Sequence, residues 1–302
     1  MQKTILITGG TGLIGQRIVQ DLLAQNQRVR VLTRSAKISP NPLLEYAVWD
    51  PARQTMDSHA LDNVSGILHL AGAPVAQRWS ESNKRVILNS RVQSSALLYE
   101  AIAALPASER PECVVGASAI GVYPSGPDWV DESSAQGADF SADVVRAWEE
   151  GVQRIAELGV RTVSFRIGLV LDPSGGMLGK LLPLFQLGLG SATGSGDQWQ
   201  SWVHVHDVQR AFLWALKTTA AQGIYNLAAP HPVTNQQLSA AIASACNRPF
   251  WAPNVPAFAL KAVYGEMASI ILASQRVRSS RITEAGFAFQ FDTAEQALTD
   301  LL

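Results

Sequence analysis

Residues Thr8-Gly9-Gly10-Thr11-Gly12-Leu13-Ile14-Gly15 constrain this chain more than any other segment. Their spacing is T-G-x-x-G-x-x-G. The motif follows the apolar run at 4–7 and opens the stretch 13–25, where apolar residues at 13, 14, 18, 19, 22 and 23 recur at helical spacing. Strand, glycine turn and helix in that order distinguish a phosphate-binding loop from an ordinary glycine turn. Gly9 permits the tight turn, Gly12 lets backbone approach a pyrophosphate, and Gly15 lets the helix pack close to the strand. Free N–H groups at the helix start, in the stretch Thr11, Gly12, Leu13 and Ile14, then receive the phosphates. The segment predicts dinucleotide binding.

The residue at the end of the second strand, about 20 positions further on, selects the dinucleotide. An acidic residue there would bind the adenosine ribose hydroxyls. This chain has Thr33-Arg34-Ser35. A guanidinium cannot accept a hydrogen bond from a 2′-hydroxyl, but it pairs with a 2′-phosphate. Thr33 and Arg34 therefore favour NADP over NAD, against the alternative of a solvated surface arginine. Asp50, after the third strand, either reaches the adenine amino group or forms the turn before Pro51.

Further apolar runs predict strands at 46–49, 66–71, 113–118 and 161–167, with helices at 83–104 and 144–158 between them. Strand–helix alternation of this kind means parallel pairing with right-handed crossovers, so the fold class is α/β, a doubly wound Rossmann sheet. Strands buried on both faces read as continuous apolar runs, as these do. After Ile167 the texture changes. Residues 172–202 are rich in Gly, Ser and Pro; a strand end at 202–207, a helix at 208–217 and a strand at 223–228 follow, and the rest is mostly helical. The expected division is an NADP-binding Rossmann domain at 1–166 and 203–228, and a smaller, mostly helical substrate-side region at 167–202 and 229–302.

Charge removes several function classes. The 302 residues carry 24 basic and 25 acidic side chains, and charged residues make up 16%, against about 25% in an average soluble domain. A balanced chain is no nucleic-acid binder by bulk electrostatics. No run of five like charges suggests a polybasic membrane patch, and no 18-residue apolar stretch suggests a membrane span. Cys113 and Cys246 stand far apart, neither a disulfide framework nor a zinc spacing. Two unpaired thiols fit a reducing, cytoplasmic setting. His204 and His206, two apart on a predicted strand, face the same way but lack a third ligand, so no metal is expected. Asp207 is read as the cap of the helix beginning at Val208.

The glycine loop, Leu70-Ala71-Gly72 after the fourth strand, and His204-Val205-His206-Asp207-Val208 together resemble the extended short-chain dehydrogenase/reductase superfamily. The tail narrows this. Gly265-Glu266-Met267-Ala268, Ser274-Gln275-Arg276-Val277 and Ala285-Gly286-Phe287 look like the C-terminal module of its atypical, epimerase-family members of uncertain substrate. The resemblance covers essentially the whole chain and implies that Leu70, Ala71 and Gly72 line the cofactor.

The superfamily's chemistry uses a tyrosine with a lysine four residues on, whose charge lowers the phenol pKa so that it can shuttle a proton. The five tyrosines, Tyr46, Tyr99, Tyr123, Tyr225 and Tyr264, are followed four residues on by Asp50, Ala103, Pro127, Ala229 and Ala268. No Y-x-x-x-K exists. Aligning the helix on Trp148-Glu149 puts Ser141 and Val145 at the two positions, with Val145 beside the cofactor; members of the subgroup often lack the pair as well. Ser118, at the carboxyl end of the fifth strand, either orients the substrate oxygen or caps a turn. Tyr123 is a substitute proton donor or a packed ring with a satisfied hydroxyl. Arg91, where the superfamily often keeps Asn and this subgroup Arg, reaches the cofactor phosphates or nicotinamide ribose, or lies on the helix surface. Trp199 and Trp202 form a substrate wall or a packed lid.

Between Leu181 and Gln209 there is no Lys or Arg, in the region that in relatives supplies an arginine for a nucleotide-sugar diphosphate. The uncharged, Trp- and Leu-rich stretch favours a less charged carbonyl or alcohol. The expected function is an NADP(H)-binding oxidoreductase or epimerase-like enzyme acting on a small molecule. The competing expectation is a catalytically silent NADP(H)-binding sensor or scaffold.

Overall fold

Eight strands, most of them rich in Val, Ile and Leu, align edge to edge in one sheet. They are β1 (Thr4–Thr8), β2 (Arg28–Thr33), β3 (Leu44–Asp50), β4 (Thr55–Met56), β5 (Val64–His69), β6 (Cys113–Ala119), β7 (Arg161–Ile167) and β8 (Gly223–Leu227). A computed structural model describes residues 2–302, and in it the sheet order is β8-β7-β6-β5-β1-β2-β3-β4. Every neighbouring pair is parallel except β3 and β4. The chain winds outward from β1 through β2 to β3, then returns to β5 on the other side of β1. That reversal puts a switch point between β1 and β5, where doubly wound sheets bind ligands at the strands' carboxyl ends.

Both faces are covered, which explains the continuous apolar runs. The helices are α1 (Leu13–Ala24), α2 (Glu81–Ala103), α3 (Phe140–Arg154), α4 (Gly176–Gln186), α5 (Val205–Lys217), α6 (Asn235–Ala245), α7 (Ala257–Tyr264), α8 (Ala268–Ile271), α9 (Ser280–Glu284) and α10 (Ala294–Leu301). Ile5 and Ile7 face a core with Ile18 of α1 and Val208 and Phe212 of α5. Leu6 points the other way, into a core with Leu97 and Leu98 of α2 and Val152 of α3, as strand alternation requires. A third core joins Leu178 and Phe185 of α4, Trp202, Leu238 and Ile242 of α6, and Leu298 of α10. No helix among the described residues is long and apolar enough to cross a membrane.

Three helix starts differ from the sequence expectation, each because an earlier side chain caps the helix. Ser80 accepts from the Asn83 amide and starts α2 at Glu81 instead of 83. Asp139 accepts from the Ala142 amide and starts α3 at Phe140 instead of 144. His204 Nδ1 accepts from the His206 amide at 3.0 Å and starts α5 at Val205. Asp207 is therefore not a cap. It is fully buried and accepts from the amides of Gln290 at 2.9 Å and Phe291 at 3.1 Å and from Arg210 Nη1 at 2.6 Å, which ties the C-terminal chain to α5. The helix start also separates the two histidines: His204 ends a short strand, Trp202–His204, and His206 lies in the helix.

Candidate active site

The glycine loop is closed on the protein side and open on the other. A Cβ on Gly9, whose φ is +68°, would lie 2.8 Å from the Leu70 carbonyl carbon and 2.9 Å from the Ala71 nitrogen. On Gly15 it would lie 2.3 Å from the Gly9 oxygen. Gly12 differs: its Cβ would meet nothing nearer than the Gly9 oxygen at 3.3 Å, so its outer side faces open space. Gly12 is the N-cap of α1, no side chain caps that helix, and its first turn holds no acidic residue. The first amides of α1 thus lack the partners that a helix start requires, a cradle suited to phosphate oxygens.

Thr8 joins this loop to β5. Its Oγ1 accepts from the amides of Leu70 and Ala71, both at 3.1 Å, and lies 2.8 Å from His69 Nδ1. With two amides donating to it, the threonine proton points at Nδ1. The ring proton then sits on Nε2, 3.1 Å from Ser95 Oγ. Burial, helped by the charge of Arg91, pushes the His69 pKa down to about 4, so the ring is neutral at pH 7. Neither Thr8 nor His69 stands out in the sequence, since an isolated polar residue ending an apolar strand carries no motif.

At the adenosine end, Thr33 Oγ1 donates to the Ser35 carbonyl at 2.7 Å and shapes the turn after β2. Arg34 is exposed and makes no ion pair among the described residues. Asp50 instead serves its own turn. Its Oδ1 accepts from the amides of Ala52 at 3.0 Å and Arg53 at 3.2 Å, and its Oδ2 pairs with Arg53 at 3.5 Å. The turn that the sequence allows for Asp50 is thus formed.

A polar rung crosses the carboxyl ends of β6, β7 and β8. Ser118 and Arg166 are register partners, as are Arg166 and Asn226, so all three side chains leave the sheet on one face. Arg166 forks onto Glu149 of α3 with contacts of 2.8 and 2.9 Å. Ser118 Oγ donates to Glu149 Oε1 at 2.6 Å. Arg166 Nη1 donates to the Tyr123 hydroxyl at 2.9 Å, and that hydroxyl donates to Asn226 Oδ1 at 2.7 Å. Every member is buried.

This geometry bears on two sequence expectations. Tyr123 is no substitute acid: burial pushes its pKa up to about 12, and its proton is committed to Asn226. Ser118 donates its proton to Glu149 in this arrangement. Val145, read from the sequence as lying beside the cofactor, is largely buried. It packs into a small core with Val122, Tyr123 and Val277 and is 4% exposed. Ser141 stands across from Gly121, where an added Cβ would be 3.6 Å from its own. The sequence signal for the rung was a charged Arg166 and an amide Asn226 inside strands that must be buried on both faces; such groups need partners.

Arg91 is not on the helix surface. Its guanidinium lies over the Trp148 ring at 4.6 Å and donates from Nη1 to the carbonyls of Ile87 at 3.0 Å and Ala73 at 3.2 Å. It fills the side of Gly72 where a Cβ would sit, 3.0 Å from Cζ. Beyond β7, Gly175 packs on Leu13 of the glycine loop, and Arg17 of α1 holds Asp172 at 2.9 Å. Trp202 is a fully buried core residue. Trp199 is half-buried and stacks on Arg276, 4.0 Å away, whose other face meets Trp129 at 4.2 Å.

Residues 5–228 match the NAD dependent epimerase/dehydratase family, and residues 255–301 match a domain of unknown function, DUF1731. The chain is 37% identical over 304 residues to the epimerase family protein SDR39U1 homolog, chloroplastic, of Arabidopsis thaliana, covering 100% of this chain and 87% of that protein. It is 32% identical over 306 residues to epimerase family protein SAR0825 of Staphylococcus aureus, covering 99% of each. In structure it resembles human epimerase family protein SDR39U1, solved with NADPH, with a TM-score of 0.87 and 28% identity over 99% of this chain and 98% of that one. A nucleoside-diphosphate sugar epimerase from Corynebacterium glutamicum superposes with a TM-score of 0.79 at 27% identity, covering 100% of this chain and 58% of that one. The expected fold and superfamily are met along the full length: the chain belongs to the NAD dependent epimerase/dehydratase family.

Proposed function

We propose that the protein is an NADP(H)-dependent oxidoreductase or epimerase-like enzyme acting on a small carbonyl or alcohol. The observation that carries this reading is the start of α1, uncapped and open at Gly12, with the unpaired Arg34 at the end of the neighbouring strand. The first supplies amides for a pyrophosphate, the second a cation for a 2′-phosphate. The NADPH in the human relative's structure supports the same choice. In this reading Gly9, Thr11, Gly12, Leu13, Ile14 and Gly15 hold the pyrophosphate, Thr33 and Arg34 the 2′-phosphate, and Leu70, Ala71 and Gly72 the nicotinamide side. Residues 1–166 and 203–228 form the cofactor-binding part, and 167–202 with 229–302 the substrate side. The two free thiols, Cys113 and Cys246, suit a reducing compartment.

When bound, NADPH supplies hydride to a carbonyl carbon. The chain's own residues position the reactants. With the protons of Tyr123 and Ser118 committed inside the rung, the proton for the reduced oxygen comes from solvent. A stopped-flow search for NADPH oxidation across a carbonyl panel tests turnover. A second reading, a binding protein that senses NADP(H) without turning it over, is favoured by the sequestered Tyr123 hydroxyl; tight NADPH binding with no oxidation by any carbonyl would select it. The cofactor choice has a separate test. Arg34→Asp is expected to weaken NADPH binding at least tenfold more than NADH binding, and equal losses would refute the assignment.

A further inference from the structure

Three guanidiniums are buried among the described residues: Arg30, Arg91 and Arg166. Arg30 pairs with Glu45 at 2.8 Å, and Arg166 with Glu149 at 2.8 Å. Arg91, 6% exposed, has no carboxylate. Its Nε is sealed from solvent without any hydrogen-bond partner, and the two bonds it makes, both from Nη1, go to neutral carbonyls. Burial pulls its pKa down to about 10, so it stays charged at pH 7. A buried, unpaired charge is costly, and proteins keep one where something compensates it. The Trp148 face compensates in part. Nη2 makes no bond in the protein, and it lies 3.1 Å from where a Gly72 Cβ would stand. The surroundings are arranged so as not to repel a guest: Gly72 has no side chain, and His69 is held neutral.

The geometry points to Arg91 as a preformed seat for an oxyanion, a phosphate or carboxylate oxygen of a ligand lying along residues 70–72. This deepens the proposed NADP(H) site and rests on it in one respect: the cofactor is one of two sources of that oxyanion. The other is an anionic group on the substrate, which would make the substrate a phosphate ester or an acid instead of a neutral alcohol. The seat arrives from α2, not from α3 where the superfamily's lysine stands, so the loss of that lysine leaves the cleft with a cation.

Titration of NADPH, followed by inorganic phosphate added to the NADPH-saturated protein, tests this with wild type, Arg91→Met and Arg91→Lys, using urea midpoints to show that each variant is folded. If the oxyanion is the cofactor's, Arg91→Met weakens NADPH at least tenfold and flattens its salt dependence, with Arg91→Lys intermediate. If it is the substrate's, NADPH binding is unchanged, and phosphate binds the wild-type complex but not that of Arg91→Met. Unchanged NADPH binding with no Arg91-dependent phosphate binding overturns the inference. A wild type that binds no NADPH refutes the NADP(H) reading itself; phosphate titrated into the free protein then decides the seat alone, and equal binding by wild type and Arg91→Met overturns it.

Discussion

Replacing Glu149 with Gln removes the one carboxylate of the polar rung and leaves Arg166 buried and uncompensated. Glu149 is 5% exposed and Arg166 1%. The carboxylate accepts three hydrogen bonds, two from Arg166 and one from Ser118. Breaking one side of a buried ion pair costs about 3–5 kcal/mol, because the surviving charge keeps its desolvation penalty without the attraction that offset it. Unfolding entropy of about 2.1 cal/mol/K per residue gives roughly 0.6 kcal/mol/K for this chain. The expected fall in melting temperature is therefore about 5–8 °C. The double variant Glu149→Leu/Arg166→Met removes both charges. It leaves only the Ser118 and Tyr123 hydroxyls each short of one partner, at about 1 kcal/mol apiece. It should be more stable than Glu149→Gln, although it carries more changes. Calorimetric melting of wild type, Glu149→Leu, Arg166→Met and the double variant closes the cycle, with Glu149→Gln measured beside it. A Glu149→Gln loss under about 1 kcal/mol, or a double variant as unstable as the two singles added, would refute the argument that the rung is held by its charge pair.

Two further perturbations separate fold from binding and fix a pH dependence. Gly12→Ala is expected to leave the urea midpoint near wild type, since its Cβ meets only the Gly9 oxygen at 3.3 Å. It should weaken NADPH by about 10- to 100-fold, because the methyl stands where phosphate reaches the α1 amides, and charged-group hydrogen bonds are worth about 1.5–3 kcal/mol. Gly15→Ala, 2.3 Å from the same oxygen, should lose stability and binding together; equal behaviour of the two variants would show that Gly12 does not face the ligand. His69, with its folded pKa lowered to about 4 from the usual 6.5, takes up a proton more readily when unfolded. Stability is therefore full above pH 6.5 and lost as pH falls from about 6.5 toward 4, by about 3 kcal/mol at most, at 1.36 kcal/mol per unit. Urea unfolding of His69→Asn across that range should lack this component, and identical pH slopes for variant and wild type would refute it.

What the sequence discloses is what is local in it. The glycine loop, the strand at Arg28–Thr33 and the strand at Arg161–Ile167 are contiguous patterns, and their boundaries can be read directly. Helix starts fail where a cap outranks periodicity: His204 caps α5 and frees Asp207 for a contact with Gln290, 83 residues away. The rung is illegible for the opposite reason. Ser118, Arg166 and Asn226 become neighbours only because β6, β7 and β8 lie side by side in one register, and register is decided by the whole sheet. The sequence does contain the clue that such an arrangement must exist. A charged residue in a strand buried on both faces obliges a partner, and Glu149, four positions after Val145 on α3, is where that partner stands. The same reasoning gives Arg91 its weight. Arg30 and Arg166 both satisfy the obligation within the chain, while Arg91 does not, and its guanidinium stands beside Gly72 at the carboxyl end of β5. A rule met twice in the body of the protein and broken once at the switch point identifies the place where the missing partner comes from outside.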